Sequence, residues 1–356
     1  MNKLNSILAI SLLAITFTAC KKDEEPILIV PPSDGSSLTL NGIAASELGT
    51  AAGNSVYVDF SKGAQTAVAR TSWDLGFASG TDFRVILNNS TSAGIKVTAA
   101  TSLAAIAEAD TLGLTLAVSQ TAPAATDLAY FDAVSGSLTG TAIPAVSATA
   151  LENKVIILNR GTGGSIAARP WIKLRVTRNT SGGYTLQYAK IKETTNFTTV
   201  EIPKDGSFNF KFVSLTSGAL VNVEPAKVDW DLVWGYSVYQ TNFGAGLVPY
   251  NFSDLVFLNV LNGVTAAQIS TADFTYAAFA EANLTSSKVV FSPARDAIGS
   301  SWRVTQPATG IKTDTFYLVK DGNGNVYKLK FVSMGVGNDG GTRGKPVIEY
   351  KLVKKG

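Results

Sequence analysis

Short runs rich in Val, Ile, Phe, Tyr and Thr recur along this chain, and clusters of Gly, Asn, Asp and Ser separate them. Within the runs apolar and polar residues alternate, which places every second side chain on one face of a strand. Clear examples are residues 56–60, 172–177 and 208–213. Two Ala-rich stretches, residues 102–110 and 265–282, interrupt the pattern and are compatible with helix. The sequence therefore predicts an all-β fold with minor helix.

The clearest local structure is a hairpin near the C-terminus. Residues 314–320 and 327–332 alternate in character and flank DGNGN at residues 321–325, a composition that favours a tight turn. The turn has the opening spacing of a calcium loop, but Val332 stands at the twelfth position, where such a loop needs a bidentate Glu. A hairpin turn is therefore predicted, with residues 345–353 as a closing strand.

One strand plan occurs twice. In each half a strand leads into a Trp-Asp-Leu sequence, at Trp73 and at Trp230. This repetition predicts two related modules, at residues 41–200 and 201–356, which either pack as two bodies or share their sheets. Each Trp is expected to anchor the core, with its neighbouring Asp bonding backbone amides. A stacking platform for a sugar or a porphyrin is the alternative.

The N-terminus has the features of a lipoprotein signal peptide at residues 1–20. Lys3 precedes an apolar core at residues 7–17, which is too short to span a bilayer, and Thr-Ala-Cys ends it at Cys20. KKDEE follows and is similar to the tag that sends Bacteroidetes lipoproteins to the outer face of the outer membrane. Residues 21–40 are then this export tag and a Pro-rich spacer. We expect lipid on Cys20 to anchor the protein at the cell surface.

Composition excludes several kinds of function. The net charge is +3, which gives no support for binding nucleic acid through its phosphates. The chain contains no histidine, and its only cysteine is Cys20. Pairs of Ser or Cys with His, imidazole general bases and His metal sites are therefore absent. A pair of carboxylates is able to hydrolyse a glycoside, but sequence cannot select one among 27 acidic residues. We predict no enzyme activity, no catalytic residues and no metal site.

Several motifs resemble the HmuY-like haem-binding lipoproteins of Bacteroidetes. They are DWDLVW at residues 229–234 followed by Thr-Asn at 241–242, the YLVKDG hairpin at 317–322, YKLKF at 327–331 and IEYK at 348–351. The resemblance implies a β-rich, hand-shaped fold. It also implies capture of haem, or a related tetrapyrrole, at the cell surface and transfer to an outer-membrane receptor.

The resemblance does not extend to the iron ligands. Known members hold haem iron with two histidines or two methionines, whereas this chain has no histidine and only Met1 and Met334. Met1 leaves with the signal peptide. Where some relatives carry His after the Trp-Asp-Leu motif, the aligned position is approximately Gly235. Haem is therefore a possible cofactor that the ligand residues do not support.

Aromatic residues in the second half are the alternative means of holding a ligand. The candidates for ligand binding are Trp234, Tyr236 and Tyr239, in a stretch that also holds Phe243, Tyr250 and Phe252, together with Met334. The alternative interpretation is that these aromatic residues belong to the core and to strand faces. Met334 is expected either to face outward as a ligand or to end an apolar strand.

Three classes of function remain. The first is surface capture of haem or a related tetrapyrrole, with a receptor partner. The second is a binding module for another ligand, such as a glycan, on the same scaffold. The third is a structural or adhesive lipoprotein without a pocket for a small ligand.

Overall fold

The computed structural model describes residues 31–244 and 246–356, and residues 32–356 form one compact unit. The predicted signal peptide, Cys20 and the export tag lie outside the described residues. The strands are β1 (Gly35–Thr39), β2 (Asn54–Asp59), β3 (Ala64–Ala69), β4 (Leu75–Ala78), β5 (Val85–Leu87), β6 (Gly94–Val97), β7 (Ile156–Asn159), β8 (Ile172–Arg178), β9 (Tyr184–Lys190), β10 (Thr198–Ile202), β11 (Phe210–Ser214), β12 (Ala219–Val221), β13 (Leu232–Asn242), β14 (Leu247–Leu258), β15 (Thr265–Ser270), β16 (Arg303–Val304), β17 (Gly310–Ile311), β18 (Thr315–Lys320), β19 (Val326–Ser333) and β20 (Val347–Lys354).

Helix occurs in the described residues only as short 3-10 segments. These are Gly49–Ala51, Arg70–Ser72, Asn89–Thr91, Leu103–Ala105, Glu108–Thr111, Ala125–Tyr130, Leu138–Gly140, Ala150–Glu152, Val260–Asn262 and Glu281–Thr285. The prediction of an all-β fold with minor helix is confirmed. Within the part of the chain that the structure describes, no helix has the length and apolar character that crossing a bilayer requires.

Antiparallel sheets form the body of the molecule. Two five-stranded sheets have the orders β1-β20-β19-β18-β15 and β10-β9-β8-β7-β6, and β16 and β17 form a small ribbon. The predicted C-terminal hairpin is β18 and β19, and the predicted closing strand is β20, which pairs with β19. Gly35–Thr39, in the region expected to be a spacer, forms β1 at the edge of this sheet.

Each of the two four-stranded sheets combines a hairpin from the first half of the chain with a hairpin from the second half. Their orders are β12-β11-β4-β5 and β3-β2-β13-β14. In the first sheet, a hairpin from the first half (β4–β5) pairs with one from the second half (β11–β12). In the other sheet, β13–β14 of the second half pairs with β2–β3 of the first. Because each half completes a sheet of the other, the halves share sheets, and residues 32–356 form one unit.

Equivalent hydrogen bonds stabilise the Trp-Asp-Leu segment in both halves. The Asn88 side-chain amide donates to the carbonyl of Trp73 at 2.8 Å, and the Asn259 amide donates to the carbonyl of Trp230 at 2.9 Å. Each amide also donates to the carbonyl three residues before its Trp. An Asn after the following hairpin thus secures the backbone at each Trp.

The Asp after each Trp accepts a backbone N–H, but the N–H belongs to the other half of the chain and not to the nearby turn that the sequence suggested. Asp74 accepts the Leu215 N–H at 2.8 Å, and Asp231 accepts the Phe60 N–H at 2.8 Å. The two buried carboxylates differ in their other partners. Asp74 forms a bidentate ion pair with Arg160 and a longer bond with Arg169. By contrast, no Lys or Arg of the described residues lies within 4.0 Å of Asp231.

The Ala-rich stretch at residues 265–282 forms a strand and turns, with a 3-10 segment starting only at Glu281, so the prediction of a helix through the stretch is wrong. Thr265–Ser270 is β15, which pairs with β18 along its whole length. Later in the stretch, Phe279 packs edge-to-face on Phe316 of β18, with ring centroids 5.6 Å apart. A long-range strand partner therefore outweighs the local helix preference of alanine. Residues 102–110 contain only 3-10 segments.

Candidate functional site

A cavity of about 130 Å³ lies between the two four-stranded sheets. Strands of both sheets line it, together with a loop that contains Asp132 and the segment that contains Arg295. Leu261, which is 45% exposed, lies at its rim and marks the side on which it meets solvent. Because the exchanged hairpins surround the cavity, both halves of the chain contribute to it.

Two equivalent aromatic pairs form much of the cavity wall. The rings of Tyr57 and Trp230 meet edge-to-face with centroids 5.1 Å apart, and those of Trp73 and Phe212 do the same at 4.9 Å. All four side chains line the cavity. Each pair joins the Trp of one half to a strand residue of the other. The walls are thus apolar, rigid and suited to a flat ligand.

The Arg295 guanidinium faces this apolar cavity without an anionic partner. Its central carbon lies 4.2 Å from the centroid of the Phe257 ring. Among the described residues, no carboxylate lies within 4.0 Å of the guanidinium, which donates no hydrogen bond to the protein. Burial lowers the pKa of Arg295, but a guanidinium keeps its proton in proteins. The cavity therefore contains a positive charge with free donors.

Glu224 also lines the cavity. Burial raises the pKa of Glu224 to about 8, and the nearby positive charge of Arg295 and a hydrogen bond from Asn209 oppose this rise only in part. Its Oε2 atom is buried and has no hydrogen-bond partner among the described residues. Below this pKa the carboxyl is protonated, and its hydroxyl can then donate a hydrogen bond.

Asp132, the third ionisable group at the cavity, is already bonded by the backbone. Its Oδ2 accepts the Leu87 N–H at 2.7 Å, and its Oδ1 accepts the Ala142 N–H at 2.8 Å. Burial raises the pKa of Asp132 to about 6, and these two bonds and the charge of Arg295 oppose the rise. Asp132 is thus a fixed part of the wall that partly balances the charge of Arg295.

Tyr236 is the predicted ligand-binding residue that lines the cavity, and its neighbours Gly235 and Ser237 line it as well. Tyr236 lies at a bulge where the β13–β14 register shifts, and its ring packs against the Arg70 guanidinium at 4.7 Å. Bulges commonly redirect a side chain beside a functional site. Tyr239 lies outside the cavity, and its hydroxyl donates to Asp296 at 2.7 Å.

Trp234 and Met334, the other two predicted site residues, lie in the main hydrophobic core. Both are 0% exposed, and they pack in one cluster with Phe60, Tyr327 and Trp302. Met334 was expected either to face outward as a ligand or to end an apolar strand, and its buried position agrees with the second alternative. Strand alternation predicted an outward side chain, but the register of β19 shifts after Phe331, so that Met334 points inward. The structure therefore does not bring these two residues to the cavity.

Sequence reasoning missed the three ionisable residues at the cavity. Asp132, Glu224 and Arg295 are far apart in the chain, belong to no motif and lie on loops. The folded structure brings them together, because all three line the cavity between the two four-stranded sheets. Within the described ranges, no cluster of three or more His, Cys, Asp or Glu residues is arranged to hold a metal ion.

The family model described as HmuY protein matches residues 51–350, which is most of the 356-residue chain. The matched span includes both four-stranded sheets and the whole wall of the cavity. Comparisons with curated proteins and with solved structures give no match. The family match agrees with the Trp-Asp-Leu, YLVKDG and IEYK motifs of the sequence. The chain therefore belongs to the HmuY family.

Proposed function

We propose that this protein is a surface-anchored lipoprotein of the outer membrane that captures haem or a related tetrapyrrole for uptake through a receptor. Membership of the HmuY family supports a ligand-capturing role rather than an enzymatic one. The N-terminal signal ending at Cys20 supports lipid anchoring. The observation that carries the proposal is the aromatic cavity between the two four-stranded sheets, which Tyr236 of the predicted ligand-binding stretch lines.

The size of the cavity limits how a tetrapyrrole binds. A cavity of about this volume holds a molecule the size of benzene. A macrocycle of four linked five-membered rings is larger, so we propose that one edge enters between the aromatic walls. The rest of the ring then lies at the rim beside Leu261. Aromatic stacking and removal of apolar surface from water supply the binding energy.

This mode of binding needs no iron ligand from the protein. No histidine is present, and Met334 is fully buried in the core. Tyrosinate ligates haem iron in some proteins. However, burial raises the pKa of both cavity tyrosines, Tyr57 and Tyr236, which disfavours the tyrosinate form. The protein is therefore expected to recognise the porphyrin ring rather than its metal.

A parallel titration with haemin and with metal-free protoporphyrin IX tests the proposal. The soluble chain from residue 21 onward is titrated with each, and binding is followed by absorbance and by quenching of tryptophan fluorescence. We expect saturable binding of both, with dissociation constants within about tenfold of each other, since ligation contributes little. Haemin binding at least a hundredfold tighter would instead reveal an iron ligand and contradict this binding mode.

Two leucine variants locate the binding site. Leu261→Glu places a charge at the rim and is expected to weaken porphyrin binding by about tenfold or more, because an apolar contact is lost. Leu112→Glu is the matched control, since Leu112 is 78% exposed and does not line the cavity. Equal effects of the two variants would show that the porphyrin binds elsewhere. Absence of saturable binding to the wild type would favour the glycan-binding or adhesive alternatives.

A further inference from the structure

Three hydrogen-bond donors at the cavity have no acceptor within the described protein. Two of them are buried, namely the indole N–H of Trp230 and Oε2 of Glu224, which carries the proton of the carboxyl below a pKa of about 8. The third is the half-buried guanidinium of Arg295, which also lines the cavity. Buried donors without acceptors are uncommon because each costs roughly 1–3 kcal/mol of desolvation free energy. A positive charge in an apolar cavity adds to this cost. The cavity is therefore short of hydrogen-bond acceptors.

We propose that this cavity recognises a carboxylate of its aromatic ligand, with Arg295 as the principal donor and Trp230 and Glu224 as further donors. The inference rests on the proposed function, since it concerns the ligand of the same cavity. A carboxylate presents two oxygens that accept several hydrogen bonds and matches the planar fork of a guanidinium. The flat space between the aromatic pairs suits an aryl group that bears such a carboxylate.

The charges around the cavity favour an anion over a cation. Arg295 has no ion-pair partner among the described residues and would repel an ammonium group. Both oxygens of Asp132 accept backbone N–H groups, so its charge is held in the wall. Glu224 is uncharged at neutral pH and stands beside Arg295, Tyr57 and Asn209. A ligand carboxylate thus meets the positive charge of Arg295 and the neutral donors, while the charge of Asp132 is directed to two backbone N–H groups.

The proposal is tested by comparing protoporphyrin IX with its dimethyl ester. We expect esterification to weaken binding to the wild type by about ten- to a hundredfold, since charge-assisted hydrogen bonds are lost. Arg295→Gln is expected to weaken binding of the free acid by a similar factor and to leave binding of the ester unchanged. Arg295→Lys, which keeps the charge but loses the planar fork, should recover part of the loss.

Arg178→Gln is the matched control for the arginine variants. The Arg178 guanidinium also lies over an aromatic ring, that of Phe83, at 4.0 Å, but it does not line the cavity. This variant is expected to bind the acid and the ester as the wild type does. Equal binding of the acid and the ester by the wild type would overturn the carboxylate proposal while leaving tetrapyrrole capture intact.

Sodium benzoate separates the two proposals if neither protoporphyrin IX nor its dimethyl ester binds. Failure of both porphyrins to bind would refute tetrapyrrole capture. Carboxylate recognition would still be testable, because benzoate is small enough for the cavity and carries a carboxylate. A benzoate-dependent rise in melting temperature of the wild type that is absent in Arg295→Gln would support carboxylate recognition on its own. The absence of any rise, or an equal rise in both proteins, would overturn it.

The pH dependence of binding provides an additional test. When the pH rises through about 8, ionisation of Glu224 places a negative charge beside the bound carboxylate. The affinity of the wild type for the free acid should therefore fall between about pH 7 and pH 9, whereas that of Glu224→Gln should change little. Parallel profiles for the two proteins would exclude Glu224 as a donor.

Discussion

Replacing Asp231 by Asn tests how this fold accommodates a buried carboxyl that lacks a cation. Asp231 is 6% exposed and accepts one hydrogen bond from the Phe60 N–H. Burial raises the pKa of Asp231 from 3.8 to about 8, and the negative charges of Asp59 and Asp321 add to the rise. The folded protein therefore keeps a proton on Asp231 that the unfolded chain loses.

The sign of the effect on stability follows from the direction of this shift. The stabilisation from the protonated carboxyl is fully present below about pH 4 and is lost as the pH rises through about 8. A tenfold change in proton affinity corresponds to about 1.4 kcal/mol. Between pH 5 and pH 8.5 the free energy of unfolding of the wild type should therefore fall by on the order of 4 kcal/mol because of Asp231 alone.

Guanidinium unfolding followed by tryptophan fluorescence measures this effect at the two pH values. The difference between wild type and Asp231→Asn isolates Asp231, because both proteins contain every other titrating group. Asn keeps an oxygen that can accept the Phe60 N–H bond. We expect the variant to be more stable than the wild type at pH 8.5 and to lose much less stability between the two pH values.

Asp74, the equivalent residue of the first half, provides a matched control, because its replacement by Asn is expected to destabilise the protein. Asp74 pairs with Arg160 through two bonds of 2.8 Å and with Arg169 at 3.2 Å. Asp74→Asn leaves two largely buried guanidinium groups without this anion. It should therefore lower the free energy of unfolding by about 3–5 kcal/mol at both pH values. If Asp231→Asn showed the same pH dependence as the wild type, or if both variants were equally destabilised at pH 8.5, Asp231 would not be the source of the pH effect.

Two further predictions concern packing. Asn88→Ala and Asn259→Ala should each lower the free energy of unfolding by at least about 2 kcal/mol, since each removes two hydrogen bonds to backbone carbonyls, and a negligible loss in chemical denaturation for either variant would contradict this anchoring role. Met334→Ala should cost about 2–5 kcal/mol in the same assay, because a fully buried side chain is lost. It should leave the absorption spectrum of any haem complex unchanged, and an altered spectrum would return Met334 to the candidate ligands.

The sequence pattern correctly predicted elements that depend on neighbouring residues, such as a tight turn, and strands whose apolar and polar residues alternate. The hairpin of β18 and β19 was predictable because its turn residues and its alternation agree. In that turn Asp321 accepts two backbone N–H groups and the side chain of Asn325, so its carboxylate is used within the turn. The β15 segment was not predictable, since its Ala-rich sequence takes its conformation from pairing with β18.

The candidate site was predictable only in part. Tyr236 reaches the cavity, but Trp234, two residues away on the same strand, points into the core, and the bulge that separates their environments has no clear sequence signal. Arg295 and Glu224 carry no motif, because their proximity depends on which hairpins pair across the two halves. Residue type and spacing were sufficient to predict the strand-rich class, the paired Trp-Asp-Leu segments and the absence of histidine ligands. The exchange of hairpins and the cavity with unmatched donors arise only on folding, because strand pairing between distant segments depends on the packing of the whole chain.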